Sequence, residues 1–214
     1  MSKKIIMIGN GGHASVLTEI LIAQGEEIIG FTAPTVEENQ FSLNYLGNDD
    51  EILNYSPANI ELVLGLGMVK PSTIREKIFH SFSEKGYRFK TLIHPSAIIA
   101  PSVQIGDGVQ IMAGVIIQTN TEIADNTIIN TAAIVDHDCK IEQHVHLAPG
   151  TVLSGCVHIG KGTHVGTGAK AIQGIAIGAN CLIGAGAVVV KDIADEVMAI
   201  GVPAKKSSTQ SNKK

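Results

Sequence analysis

The 214-residue chain contains no tryptophan, and its aromatic residues amount to only 4%. So few rings fit a narrow core filled by aliphatic side chains. Cysteine is scarce too. Cys139, Cys156 and Cys181 stand at scattered spacings that supply neither a disulfide framework nor a zinc pattern. A net charge of −4 with no basic stripe argues against nucleic acid as a partner. No apolar run approaches the ~20 residues needed to span a bilayer, so no membrane partner is expected either. Gly9, Gly11 and Gly12 interrupt the short apolar opening before a signal-peptide core could form, and the expected location is cytoplasmic.

What the chain does have is a period of six. Counting from Ile93, the first residue of each hexad as far as Val189 is Ile, Val or Leu, with Ala171 as the exception. The fifth residue, from Ala97 to Ala187, is small or β-branched, with Ile175 the one larger case. Six matches neither the helical period nor the strand period, so the chain must repeat a supersecondary unit. The unit that fits is a parallel β-helix. Each hexad makes one side of a triangular coil, three make a turn, and positions eighteen apart stack at about the 4.8 Å of neighbouring strands. First and fifth positions point inward, which makes Cys139 and Cys181 core filler and leaves Cys156 facing outward. Gly106, Gly160, Gly166, Gly178 and Gly184 share the second position with Asn130, and a left-handed backbone is expected there.

Ahead of the repeats the pattern is α/β. Lys4 to Ile8 reads as a buried strand, Gly9 to Ala14 as a glycine-rich turn into a helix ended by Gly25, and Glu27 to Phe31 as a second strand. The spacing Gly9-x-Gly11-x-x-Ala14 suits backbone N–H groups meeting a phosphate. A nicotinamide cofactor would want an acid after the second strand, where Thr32 and Ala33 stand instead. The stretch from Thr32 to Tyr45 is expected to be a surface loop, and Ile60 to Leu66 a third strand. Gly65 and Gly67 mark a close backbone approach; a helix is expected over Pro71 to Lys85, then a short strand over Arg88 to Leu92. The fold class is thus a Rossmann-like α/β domain over 1–90, then an all-β helix over 91–206 whose end is capped by Asp192 to Ile200, and a disordered polar tail at 207–214.

Within the repeats His137 stands out. It occupies an outward third position inside Val135-Asp136-His137-Asp138-Cys139, an imidazole between two carboxylates. A carboxylate beside imidazole fixes the tautomer and raises its basicity, as a general base near neutral pH needs. Neighbours on a strand point opposite ways, so which acid serves, Asp136 or Asp138, is left open by the spacing. Eighteen residues on is Gly155, so no side chain lies over His137 and room for a long thin ligand is expected there.

Gly11-Gly12-His13, Asn130-Thr131, Asp136-His137-Asp138, His146 and Gly201-Val202-Pro203-Ala204-Lys205 closely resemble the hexapeptide-repeat sugar O/N-acyltransferases, which include sialic acid O-acetyltransferases and N-acetyltransferases of nucleotide-linked 4-amino-4,6-dideoxy sugars. The resemblance spans essentially the whole chain. It implies a left-handed β-helix, against the usual crossover rule, and a homotrimer with acetyl-coenzyme A in the groove between neighbouring β-helices. His137 would be the general base, polarised by Asp138 or Asp136. Gly11, Gly12, His13, Gly67, Asn130 and Thr131 would approach the acceptor; His146, Gly155, Ala185, Pro203 and Lys205 would lie along the cofactor, with no metal expected. Thr32-Ala33 departs from the UDP-holding relatives, which carry acids there, and several N-terminal segments look rather like the O-acetylating group. The acid after His137 favours N-acetylation. The expected partner is therefore a nucleotide-activated amino sugar, with O-acetylation of a sialic-type acid as the alternative.

Two rivals use the same architecture. A metal hydrolase or carbonic anhydrase would recruit His144, His146 and His164, although zinc needs three or four converging ligands. An ice-binding or other non-catalytic β-helix would want one regular outward ladder, whereas the outward positions here are mixed.

Overall fold

The computed structural model describes residues 3–207. It divides into two compact units, Met1–Gly67 with Ile74–Leu92, and Met68–Thr73 with Ile93–Lys214. Of the polar tail expected from 207 onward, only Ser207 falls within the described residues, and its N–H donates to the Met198 carbonyl at 2.8 Å; residues 208–214 lie outside them.

In the first unit β1 (Lys4–Ile8), β2 (Ile28–Thr32), β3 (Tyr45–Gly47) and β4 (Ile60–Leu64) form a parallel sheet in the order β3-β2-β1-β4. Ile5, Ile6, Met7 and Ile8 are all at most 1% exposed, as a strand covered on both faces requires. The chain runs outward from β1 to β3 and then returns to pair β4 with β1. The order therefore reverses between β1 and β4, where α/β sheets bind ligands beyond their carboxyl ends. α1 (Gly12–Ala23) buries Ala14, Leu17, Ile20 and Leu21, and α2 (Ile74–Glu84) buries Arg75, Phe79 and Phe82. α2 begins three residues after the expected Pro71. The strand expected at Arg88 to Leu92 is reduced to a bridge between Leu62 and Phe89, and Leu92–Ile93 already starts the repeats.

Two elements went unseen in the sequence. β3 sits at the end of the presumed loop, where Tyr45 meets Phe31 at 5.7 Å between ring centroids. After it a 3-10 helix spans Asp49–Asn54, its first turn capped by the Asn48 side chain, which accepts from the Asp50 N–H at 2.9 Å.

The second unit is the left-handed parallel β-helix. Its two-residue strands stack at an interval of eighteen: Ile128–Ile129 pairs with His146–Leu147 on the first face, Ile134–Val135 with Val152–Leu153 on the second, and Lys140–Ile141 with His158–Ile159 on the third. First-position residues from Ile111 and fifth-position residues from Val109 are buried in one continuous core. Thr121, Thr127, Thr151 and Thr163 sit at fifth positions with 0% exposure. Each hydroxyl donates to a main-chain carbonyl, for example Thr121 to Asp136 at 2.9 Å, so polar groups enter the core already satisfied. At the far end Met198–Ile200 continues the first face, and Lys205–Lys206 pairs back antiparallel against it.

One expectation about the corners is corrected. The left-handed residues occupy the fourth hexad position, not the second: Asn120, Asn126, Ala132, Asp138, His144, Cys156 and Asn180 all have φ between 53° and 61°. The second-position glycines serve close approach instead. A Cβ at Gly160 would lie 2.5 Å from the Ala179 nitrogen, and one at Gly166 would lie 2.7 Å from that of Ala185. Backbone cannot yield as a side-chain tip can. Gly160→Ala is therefore expected to lower stability by about 1–3 kcal/mol, whereas Gly174→Asn, left-handed at φ +74° with nothing within 4 Å, meets only the backbone cost of that region, which Asn bears best, and should lose less than about 1 kcal/mol. Thermal denaturation of the two variants checks this, and equal losses would contradict the distinction.

Candidate active site

His137 lies at the corner where the chain turns from the second face to the third. Its side chain is 43% exposed and that of Asp138 48%. The left-handed backbone at Asp138, φ +57°, reverses the alternation of a strand and swings this carboxylate onto the same side as the imidazole. Nδ1–H of His137 donates to Asp138 Oδ2 at 2.7 Å, which leaves Nε2 as the basic nitrogen. Asp136 does something else: its Oδ1 accepts from the backbone N–H of His137 at 2.8 Å and so fixes the corner. Asp138 is the orienting acid.

The stacking interval supplies the rest of this arrangement. Asn120, eighteen residues before Asp138, donates its amide to Asp138 Oδ1 at 3.3 Å, and the backbone N–H of Asn120 donates to Ser102 Oγ at 3.0 Å. These two residues escaped the sequence reading, although the same arithmetic that found Gly155 reaches them. Gly155 itself holds a different kind of vacancy from the one expected. A Cβ there would lie 2.5 Å from both Cε1 and Nε2 of His137, so the space that glycine leaves is taken by the imidazole ring and not by an open slot.

Asn130 and Thr131 stand at another corner, between the first and second faces. The Asn130 side chain accepts from the Thr131 N–H at 2.7 Å and donates to His146 Nε2 at 3.1 Å. His146 in turn donates Nδ1–H to the Met68 carbonyl at 2.6 Å. Both ring nitrogens of this buried residue are thus engaged within the chain, and His146 positions Asn130. Nothing in the sequence pointed to Met68. Up the same corner the third-position residues Thr131, Pro149, Thr167 and Ala185 are exposed and small, and Gly186 N–H donates to the Thr167 carbonyl at 2.8 Å. Exposed Pro203 and Lys205 follow, and between them Ala204 N–H donates to the Val188 carbonyl at 2.7 Å. Within one chain, then, His137 with Asp138 and Gly155 occupies one edge of the second face, while Asn130, Thr131, Ala185, Pro203 and Lys205 occupy the other.

In the first unit Gly9 is left-handed at φ +96°, and a Cβ on it would meet Leu66 at 3.1 Å. Ala14 is buried against Gly65, where a Cβ would come within 2.7 Å of the Ala14 Cβ. Gly11 and Gly12 are different, since a Cβ on either meets nothing within 4 Å. They open α1 with no side-chain cap and no acid in its first turn, an exposed helix start of the kind suited to an anion. Gly67 lies beside His13, 3.4 Å from its Cβ to the Cβ that glycine lacks. After β2, where the sequence lacks an acid, Thr32 Oγ1 donates to Asp49 Oδ1 at 2.7 Å.

The hydrogen bond to Asp138, with the charges of Asp136 and Asp138, raises the His137 pKa above 6.5, while the imidazole and Asn120 lower that of Asp138. The histidines of the metal rival are arranged otherwise. The His146 and His164 rings meet edge-on at 4.9 Å between centroids, burial pushes the His164 pKa down, and His144 Nδ1 is bonded to Asn126 at 2.9 Å. Among the described residues His144, His146 and His164 do not converge as a ligand trio.

Residues 4–82 match the family described as the PglD N-terminal domain, and residues 156–191 match the hexapeptide repeat of succinyl-transferase. Among solved structures the chain is 37% identical to a histidine-to-asparagine variant of perosamine N-acetyltransferase from Caulobacter crescentus in complex with coenzyme A and GDP-perosamine, with a TM-score of 0.90 over 98% of this chain and 99% of that one. It is 34% identical to the acetyltransferase domain of PglB from Neisseria gonorrhoeae in complex with acetyl-coenzyme A, with a TM-score of 0.91 over 97% and 100% of the two chains. A curated serine acetyltransferase from Buchnera aphidicola is 33% identical over 93 residues, which span 34% of its length.

The charge state of His137 is open to direct test. Its imidazole, followed by two-dimensional NMR, should titrate above 6.5 in the parent chain, and the Asp138→Asn variant should titrate lower. An unshifted midpoint in that variant would remove Asp138 as the orienting group.

Proposed function

The chain belongs to the hexapeptide-repeat sugar acyltransferases, and from this we propose that it transfers the acetyl group of acetyl-coenzyme A to the amine of a nucleotide-linked 4-amino-4,6-dideoxy sugar. The observation that carries the mechanism is the His137–Asp138 bond of 2.7 Å. It leaves Nε2 free to take a proton from the sugar nitrogen as that nitrogen attacks the thioester carbon. The oxyanion then collapses, the carbon–sulfur bond breaks, and coenzyme A leaves as a thiol once its sulfur is protonated. Both relatives with bound ligands support this reading, one holding coenzyme A and GDP-perosamine and the other acetyl-coenzyme A. The open N-terminus of α1 at Gly11, Gly12 and His13, with Gly67 beside it, suits the acceptor's nucleotide phosphates.

We assign the cofactor to the corner bearing Ala185, Pro203 and Lys205, where small exposed third-position residues leave a smooth run for pantetheine. That assignment requires a second copy. The general base and the cofactor corner lie at opposite edges of one face, so a single β-helix cannot join them. The second face explains how they meet. Its outward column contains Ile98, 65% exposed, with Ile116, Ile134, Val152 and Val188, broken only by Lys170, whereas the third face carries Gln104, Glu122, Lys140 and His158. Three apolar faces turned inward about one axis would bring the His137 corner of each copy against the Asn130 and Ala185 corner of the next.

Release of coenzyme A thiol, measured with acetyl-coenzyme A and a panel of GDP-, UDP- and CMP-linked amino sugars plus free nonulosonic acids, tests the reading. Turnover should require a nucleotide-linked amine, and turnover of the nonulosonic acids alone would overturn it. His137→Ala should cost about 10²–10⁴ in turnover with the assembly intact by sedimentation. Ile134→Glu should dissociate the trimer and abolish turnover although its side chain is absent from the chemistry; an active monomer would refute the shared site.

A further inference from the structure

Cys156 has no part in the mechanism above, yet it stands beside it. It lies eighteen residues after Asp138 at the same left-handed position, φ +59° over +57°, so the two side chains are consecutive rungs of one corner. Its backbone N–H donates to the His137 carbonyl at 2.9 Å. A nitrogen of His137, a carboxylate oxygen of Asp138 and Cys156 Sγ all lie within 4.8 Å of one another. Among the described residues, the buried thiols of Cys139 and Cys181 belong to no such ligand group. We infer that His137, Asp138 and Cys156 form a binding site for a borderline or soft divalent cation of the zinc and cadmium class, and that its occupation switches the base off.

The donor set is the first reason. Imidazole, carboxylate and thiolate are ligands that zinc accepts together, and three from the protein leave a fourth position for water. Hard cations such as magnesium are excluded by the sulfur and by the shortage of oxygens. The scaffold is the second reason. All three residues hang from adjacent coils locked by main-chain bonds, and Asn120, itself bonded to Ser102, already orients the Asp138 carboxylate at 3.3 Å. Such outer bonds hold ligands in place before metal arrives. Only exposed side-chain ends must move to close separations of up to 4.8 Å to the roughly 2.0–2.3 Å bonds of zinc.

Binding converts the thiol to a metal-bound thiolate and releases one proton to solvent, with no change in oxidation state. A cation on Nε2 takes the lone pair that would accept the substrate's proton. A cation on Nδ1 breaks the bond to Asp138. In either case His137 ceases to act as a base. The binding claim stands on geometry alone; the inhibitory consequence rests on the proposed role of His137.

The test is a cadmium titration of the intact chain, following the ultraviolet thiolate-to-metal charge-transfer band, beside a zinc titration of turnover. The parent should develop the band with one equivalent and lose activity. Cys156→Ala should lose the band, keep metal-free turnover, and resist zinc by at least roughly tenfold, the lower end of what losing even an outer partner costs a metal site. Ala132 already occupies the equivalent left-handed position, so the variant is compatible with the coil. A band that persists in Cys156→Ala, equal zinc sensitivity in both proteins, or a saturated band with turnover intact would each overturn the proposal. Failure of the metal-free parent to acetylate any amino sugar would instead strike the functional reading and leave the band to be judged by itself.

Discussion

Everything in the second unit depends on the separation of neighbouring parallel strands. At about 4.8 Å per coil, each residue is stacked on the one eighteen places away, and the prism is too narrow to hold anything wider than an aliphatic chain. The absence of tryptophan and the rule of Ile, Val and Leu at first positions follow from the same limit. So does the use of glycine at Gly160 and Gly166, where the next coil comes within 2.7 Å of where a Cβ would be. Because packing fixes the inside, the outside is free to vary, and chemistry can be placed at a corner with little effect on the core.

Such a scaffold can align residues along an edge, but it cannot close a pocket around them. A concavity of about 450 Å³ lies on the third face, lined by Gln104, Glu122, Lys140 and Lys161, but neither His137 nor Ala185 lines it, and the corners that bear them point away from one another. The apolar column on the second face, running from Ile98 to Val188 between the edge with His137 and the edge with Ala185, has the form expected if concavity is made by assembly. Burying that column and completing the site would then be one event.

Periodicity made much of this visible in advance. The hexads disclosed the coil, the eighteen-residue interval placed Gly155 against His137, and Gly9, Gly11 and Ala14 disclosed the turn into α1. What stayed hidden has physical reasons. Neither the choice between Asp136 and Asp138 nor the corner conformation could be read, because both depend on which hexad position turns left-handed. Glycine is common at second positions for close approach and at fourth positions for φ, and composition does not separate the two causes. β3 was hidden in a polar stretch because its stability comes from Phe31 and β2 and not from its own pattern. Asp49 reaches Thr32, and Met68 reaches His146, across 17 and 78 residues with no repeat to announce them.

The left-handed residue at Asp138 deserves its cost. A non-glycine residue in that region is disfavoured by roughly 1–2 kcal/mol, somewhat less for Asp and Asn, and the coil pays it at most corners only to turn. At this corner the same torsion brings a carboxylate round to the ring of the residue before it, which an extended backbone forbids. The bond to Asp138, aided by the charges of Asp136 and Asp138, raises the basicity of the imidazole and outweighs the desolvation that pulls its pKa down. That bond acts at short range and survives in solvent only while Asp138 is held still. Asn120 and Ser102, one and two coils below, hold it. Orientation of the base is thus a property of the stack, and the stack exists because the core repeats every six residues.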